Sequence, residues 1–253
     1  MLRFFRQIRK KLMEQSKVRK YLFYAIGEIA LVMIGILLAL QVNNWNENRL
    51  QENEEAFYLQ KLQQSITQDT TTYSQVIELL DSAIDNLSII QNELNDINKE
   101  AFSVDITSPL LSTYKRSIER STWDNLISTG KISLIQNNAV SDSLFKYYYA
   151  YENNILGWNE AQTHYTRQMI APFLMEFDDT NWDAFNITAA NLGDDVPLLM
   201  KKSISEYRDE ALFRNILRFK ISTLESVKQV YIEILLKAKS LMSLIDQELT
   251  KAG

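Results

Sequence analysis

The sequence predicts an all-α chain: a single N-terminal transmembrane helix followed by a long-helix antiparallel bundle with coiled-coil-like seams. Three observations predict it. Residues 21–42 form one apolar run of 22 residues. Two long stretches beyond it carry apolar residues at 3-4 spacing. Helix breakers are scarce, six Gly and three Pro in 253 residues, which argues against a sandwich or barrel.

The apolar run comes first. At roughly 1.5 Å per residue it reaches about 33 Å, enough for a hydrocarbon core of about 30 Å. Twelve of its residues are Leu, Ile, Val or Phe, favouring insertion by about 4–7 kcal/mol. Glu28 opposes this by at most about 3 kcal/mol. Eight bases (Arg3, Arg6, Arg9, Lys10, Lys11, Lys17, Arg19, Lys20) precede the run, against the single acid Glu14. The positive-inside rule therefore places residues 1–20 in the cytoplasm and 43–253 outside it, with Tyr21, Phe23, Tyr24 and Trp45 as interfacial aromatics. A cleaved signal peptide is the competing reading, but no A-x-A site follows the run. Within residues 1–20, Phe4, Phe5, Ile8 and Leu12 share one helical face opposite the bases. The segment is either a lipid-surface helix or an ordinary topology determinant.

Charge is divided along the chain. The first 42 residues carry eight bases and two acids, +6; the remainder carries 19 bases and 30 acids, −11. An acidic outer body is a poor nucleic-acid binder. Cysteine is absent, so disulfides, thiol catalysis and thiolate metal sites are all excluded.

In the outer body a first seam runs Leu59, Leu62, Ile66, Asp69, Tyr73, Val76, Leu80, Ala83, Leu87, Ile90, Leu94, Ile97, with Asp69 and Ala83 its weak positions. Residues 98–109 read as a loop ending at Ser108-Pro109. A shorter helix is expected over 110–129, stopped by Gly130. A third helix is expected over 140–177, with Pro172 kinking or ending it. Residues 178–200 read as a loop pinned by Trp182 and Phe185. The last helix, 209–249, repeats the seam with Leu212, Ile216, Phe219, Thr223, Val227, Val230, Ile234, Ala238, Leu241 and Ile245.

Three stretches carry a resemblance: MLRFFRQIRKKL running into KYLFYAIGEIALVMIGILLALQVNNWNE, the long polar helix after it, and STWDNLISTGKISLIQNNAVSDSLFKYY. On these the chain resembles the uncharacterised single-pass membrane proteins of Bacteroidota that are defined by a domain of unknown function. The resemblance covers most of the chain to about residue 155 and implies an inner-membrane location. It implies no activity and no site residues.

Candidate sites are few. Glu28 lies about 10 Å into the span, either tolerated by a strong apolar run or part of a helix–helix contact with Gly35 and Ala39, a small-x-x-x-small pair. Tyr147, Tyr148, Tyr149, Tyr151, Trp158, Tyr165 and Phe173 are core packing, or Tyr148, Tyr151, Trp158 and Tyr165 line an aromatic groove. His164, the single histidine, has no second His or Cys for a zinc site and no G-x-S-x-G turn for a triad. Asp178-Asp179 and Asp194-Asp195 lack EF-hand spacing, and no Gly-rich phosphate loop occurs. The sequence therefore points away from an enzyme, a cofactor and a metal. It points towards a membrane-anchored scaffold or interaction module, partnered by the lipid bilayer and by a second copy or another membrane protein. The alternative is a ligand-sensing periplasmic bundle that acts through a membrane partner. An enzyme would need a polar cluster in a cleft that the spacing does not show.

Overall fold

The computed structural model describes residues 18–177 and 202–252. The described residues are predominantly helical, and no strand occurs among them. The chain divides into two compact units, Met1–Ala56 and Phe57–Gly253. The first helix, α1, is Val18–Asn95.

In the first unit, every large apolar side chain from Leu22 to Val42 is at least 54% exposed. The helix is long and apolar enough there to cross a membrane. Nothing lies within 4 Å of a Cβ built on Gly27 or Gly35. Past the apolar run the surface turns polar: the Asn43 side chain donates to Glu47 at 2.7 Å, and the Arg49 guanidinium lies 5.8 Å from the Trp45 ring centroid.

The second unit holds one cluster of buried residues, from Leu59 to Ile245. The α1 seam enters it as its spacing predicts: each position from Leu59 to Leu94 is buried. Ile97 departs from the prediction at 81% exposed, because the helix has ended at Asn95. Glu93 closes that end. Its carboxylate pairs with Lys99 at 2.8 Å and accepts the Ser103 N–H at 2.9 Å, and these contacts hold its pKa down to about 2. The Arg208 guanidinium donates to the Leu94 and Asp96 carbonyls at 2.8 and 2.7 Å. The orphan carbonyls of the terminus are thereby partly satisfied.

The helix expected over 110–129 is two short helices, α2 Thr107–Leu111 and α3 Ser121–Ser128, with non-helical chain between them. Tertiary partners take the backbone groups that a helix would have used. The Lys220 ammonium donates to the Ser112 carbonyl at 2.9 Å, and the Glu119 N–H donates to the Asp69 carboxylate at 3.2 Å. Gly130 does take the left-handed conformation, φ 72°, that stops α3. A single 3-10 turn, Lys131–Leu134, then leads to α4, Asn138–Ala150, capped by the Asn137 side chain.

The expected third helix is helical throughout but not uniformly α. After α4 come a π turn at Tyr151–Ile155, α5 at Leu156–Tyr165, a second π turn at Thr166–Ile170, and α6 at Ala171–Phe177. The buried residues Tyr147, Tyr151, Ile155, Asn159, Gln162, Thr166, Ile170 and Leu174 recur every 3.9 residues or so, too long a period for an α-helix. One extra residue absorbed in each π turn brings the period back to about 3.6 and keeps a single face turned inward. Pro172 therefore neither ends the helix nor stands alone as a break. It follows the second π turn, where the hydrogen-bond ladder is already reset.

Beyond residue 201 the described residues form α7, Ile204–Asp209, with a Ser203–Glu206 capping box, and α8, Ala211–Ala252. The last-helix seam holds except at its first and third predicted positions, with Val230 half-buried. Leu212 and Phe219 are 44% and 50% exposed, while their neighbours Phe213 and Lys220 are buried. Phe213 is drawn inward by an aromatic cluster with Tyr207 and Phe102. Lys220 is turned inward by its hydrogen bond to Ser112. Between α1 and the later helices, Gln63 donates to Asp246, Asp81 pairs with Lys228, and the Tyr73 and Tyr231 rings lie 5.8 Å apart. The segment 1–17, with its amphipathic pattern, and residues 178–201, with Trp182, Phe185 and the aspartate pairs, lie outside the described residues.

Candidate functional site

A row of polar side chains crosses the core. Asp69, on α1, is 1% exposed. Its carboxylate accepts the Tyr147 hydroxyl at 2.7 Å and the Glu119 N–H at 3.2 Å. Burial raises its pKa despite those two donors. The Tyr147 and Tyr73 hydroxyls are 3.1 Å apart, and burial pushes both phenols above their ordinary range. Tyr231 lies beyond Tyr73. Its hydroxyl approaches the Asn159 amide and the Arg116 backbone but completes no hydrogen bond with either. Lys220 is a separate buried charge. Its ammonium contacts the Ser112 carbonyl at 2.9 Å and the Thr166 hydroxyl at 3.4 Å, with no carboxylate partner among the described residues. Burial lowers its pKa to about 8.

Beside this row lies an open cleft of about 720 Å³, within the size range of small-molecule sites. One wall is the non-helical segment Lys115–Ser117. The other is α5 with the π turns at its two ends, which contribute Tyr151, Arg167 and Gln168. Asn159 is 7% exposed, lines the cleft, and leaves its Oδ1 without a hydrogen-bond partner. π turns are costly single-turn irregularities that recur at functional sites, and here both of them border one cleft.

The residues singled out from sequence are dispersed. Tyr151 is buried and lines the cleft. Tyr148 is buried elsewhere, stacked on Trp123 at 4.4 Å and 11°. Trp158 is half-buried against the core, and Tyr165 packs on Phe219 with centroids 4.2 Å apart. Tyr147 belongs to the polar row, Phe173 packs on Phe177, and Tyr149 is 67% exposed. His164 is exposed at the cleft. No group of three metal-ligating side chains occurs among the described residues. In the first unit Gly35 and Ala39 are exposed and Glu28 is half-buried. Asn159, Arg116, Arg167 and Lys220 were not singled out from sequence. A usable signal existed for Asn159, Gln162 and Thr166, which sit at buried register positions where an apolar residue is expected. Nothing comparable marked the two arginines.

Among the described residues the protein is thus all-helical, with one helix apolar and long enough for a membrane and a polar-lined cleft in the second unit. Residues 28–161 match the model of a family of unknown function, DUF6090. That is more than half the chain, and the chain belongs to this family. No curated protein and no solved structure matches it.

Proposed function

We propose that this protein is a single-span membrane protein whose outer part is a non-enzymatic helical module for protein interaction. In this reading residues 1–20 are cytoplasmic, 21–42 cross the inner membrane, and 43–253 form an antiparallel bundle in the periplasm. One observation carries the anchoring: some twenty consecutive residues of α1 bury nothing against the rest of the chain, and apolar area on that scale needs lipid or a partner helix. The antiparallel order is supported by contacts whose numbers run in opposite directions, Gln63 with Asp246, Asp81 with Lys228, and Leu94 with Arg208.

The absence of cysteine makes orientation testable with single-cysteine variants. A membrane-impermeant maleimide should label Thr250→Cys in intact spheroplasts, and Ser16→Cys only after lysis. The reverse pattern would overturn the topology. Crosslinking in native membranes, followed by mass spectrometry, tests the interaction role. A second copy or a specific membrane protein is the expected capture, and a monomer with no crosslinks would remove the role. If the captured species is a homo-oligomer, Gly35→Leu should reduce its size in detergent.

A second reading, a ligand-sensing bundle that relays through a membrane partner, is favoured by the cleft. In that reading the membrane partner carries the output.

A further inference from the structure

Resting on the ligand-binding reading, we infer that the cleft between Lys115–Ser117 and α5 takes a small organic anion, a carboxylate or phosphate whose body also carries an O–H or N–H donor. Charge supplies the first half of the argument. Lys115, Arg116 and Arg167 line the cleft against one acid, Glu160. Among the described residues neither Lys115 nor Arg167 is paired with a carboxylate, and the Arg116 guanidinium hydrogen-bonds to the Lys115 carbonyl at 2.9 Å and to no carboxylate. This is a local excess of positive charge on an outer body that carries −11 overall. Such a reversal of sign draws anions to one place and away from the rest of the surface. Arginine offers the planar fork that carboxylate and phosphate oxygens match.

Asn159 supplies the second half. It is 93% buried, lines the cleft, and its Oδ1 accepts no hydrogen bond among the described residues. A buried unpaired amide oxygen costs about 1–3 kcal/mol; a donor relieves it, and the Tyr231 hydroxyl that approaches the same amide completes no bond to it. A bare anion offers none, so the ligand brings both an anionic group for the arginines and a hydroxyl or ammonium for Asn159. Tyr151 forms an apolar face against which the ligand's carbon body rests. The two π turns hold this arrangement together: the first presents Tyr151 and the second Arg167, either side of Asn159.

The test is calorimetry on the full chain in nanodiscs of zwitterionic lipid, with four probes: L-glutamate, glycerol 3-phosphate, sulfate and glycerol. The expected result is that glutamate or glycerol 3-phosphate binds, with sulfate and glycerol at least tenfold weaker. Arg167→Glu and Arg116→Glu, both at exposed positions, should each weaken that binding about tenfold, which is about 1.4 kcal/mol. Asn159→Ala should bring the binding down to the sulfate level, and Lys239→Glu, outside the cleft, should leave it unchanged. Sulfate binding as tightly as the organic anions would overturn the inference, as would equal binding by wild type and Arg167→Glu. Native mass spectrometry of protein taken from membranes separates the two levels of failure. A retained neutral compound without anion binding overturns the anion assignment and leaves the ligand-binding reading standing. No retained compound and no binding by any probe at about 10 mM overturns both.

Discussion

The buried face of α1 beyond Phe57 and the buried face of residues 138–177 meet in one core, yet they are built differently. On α1 the inward positions follow an even 3-4 rhythm from Leu59 to Leu94, with Asp69 the one acidic side chain deep in the middle of it. On the later run the rhythm is stretched, three polar residues (Asn159, Gln162, Thr166) face inward, and two π turns hold the register. The regular face packs. The irregular face also opens a cleft and leaves polar atoms without partners, those of Gln162 and Asn159 among them. Irregularity that is costly to keep marks the part of a fold that does more than pack.

Deleting one residue from each face gives the sharpest contrast. Removal of Gln75 from α1 rotates every later seam position by about 100°. It should abolish cooperative thermal unfolding, measured by circular dichroism in detergent. Removal of Asn153, exposed in the first π turn, should turn that turn into an α turn and leave stability within about 1 kcal/mol of wild type. Equal damage from the two deletions would erase the distinction drawn between these faces.

The polar exception on the regular face comes next. Asp69→Ala removes the acceptor of the part-buried Glu119 N–H and leaves the Tyr147 hydroxyl with Tyr73 alone among the described residues, and should cost about 2 kcal/mol, read as a lower denaturation midpoint. Tyr147→Phe should cost less, because Asp69 keeps its backbone donor. If Asp69→Ala is neutral, the polar row is not holding the segment before α3.

The smallest effect concerns Lys220. Its folded pKa, about 8, lies below the ordinary lysine value of 10.5, so the unfolded chain binds more protons between those two values. Stability should therefore rise with pH from about 8, until tyrosine ionisation opposes it near 10. Lys220→Met should flatten that rise. Melting temperatures at pH 7.5, 8.5 and 9.5 for the two proteins decide it, and parallel curves would show that Lys220 keeps its ordinary affinity for protons.

The sequence alone determined the helical class, the apolar run and the inward face of α1. Each follows from local composition or from a repeat that matches the helical period, and both can be counted along a chain. Tertiary structure alone decided the break at 112–120, the inward turn of Lys220 and the cleft. Residues 110–129 carry nothing that forbids a continuous helix. Their backbone leaves the helix because Asp69 and Lys220, far away in sequence, supply hydrogen bonds to it. Likewise Arg116 and Asn159 become neighbours only because that segment lies against α5. Side chains brought together by long-range contacts leave no periodic trace, and so the face that packs was legible in the sequence while the cleft was not.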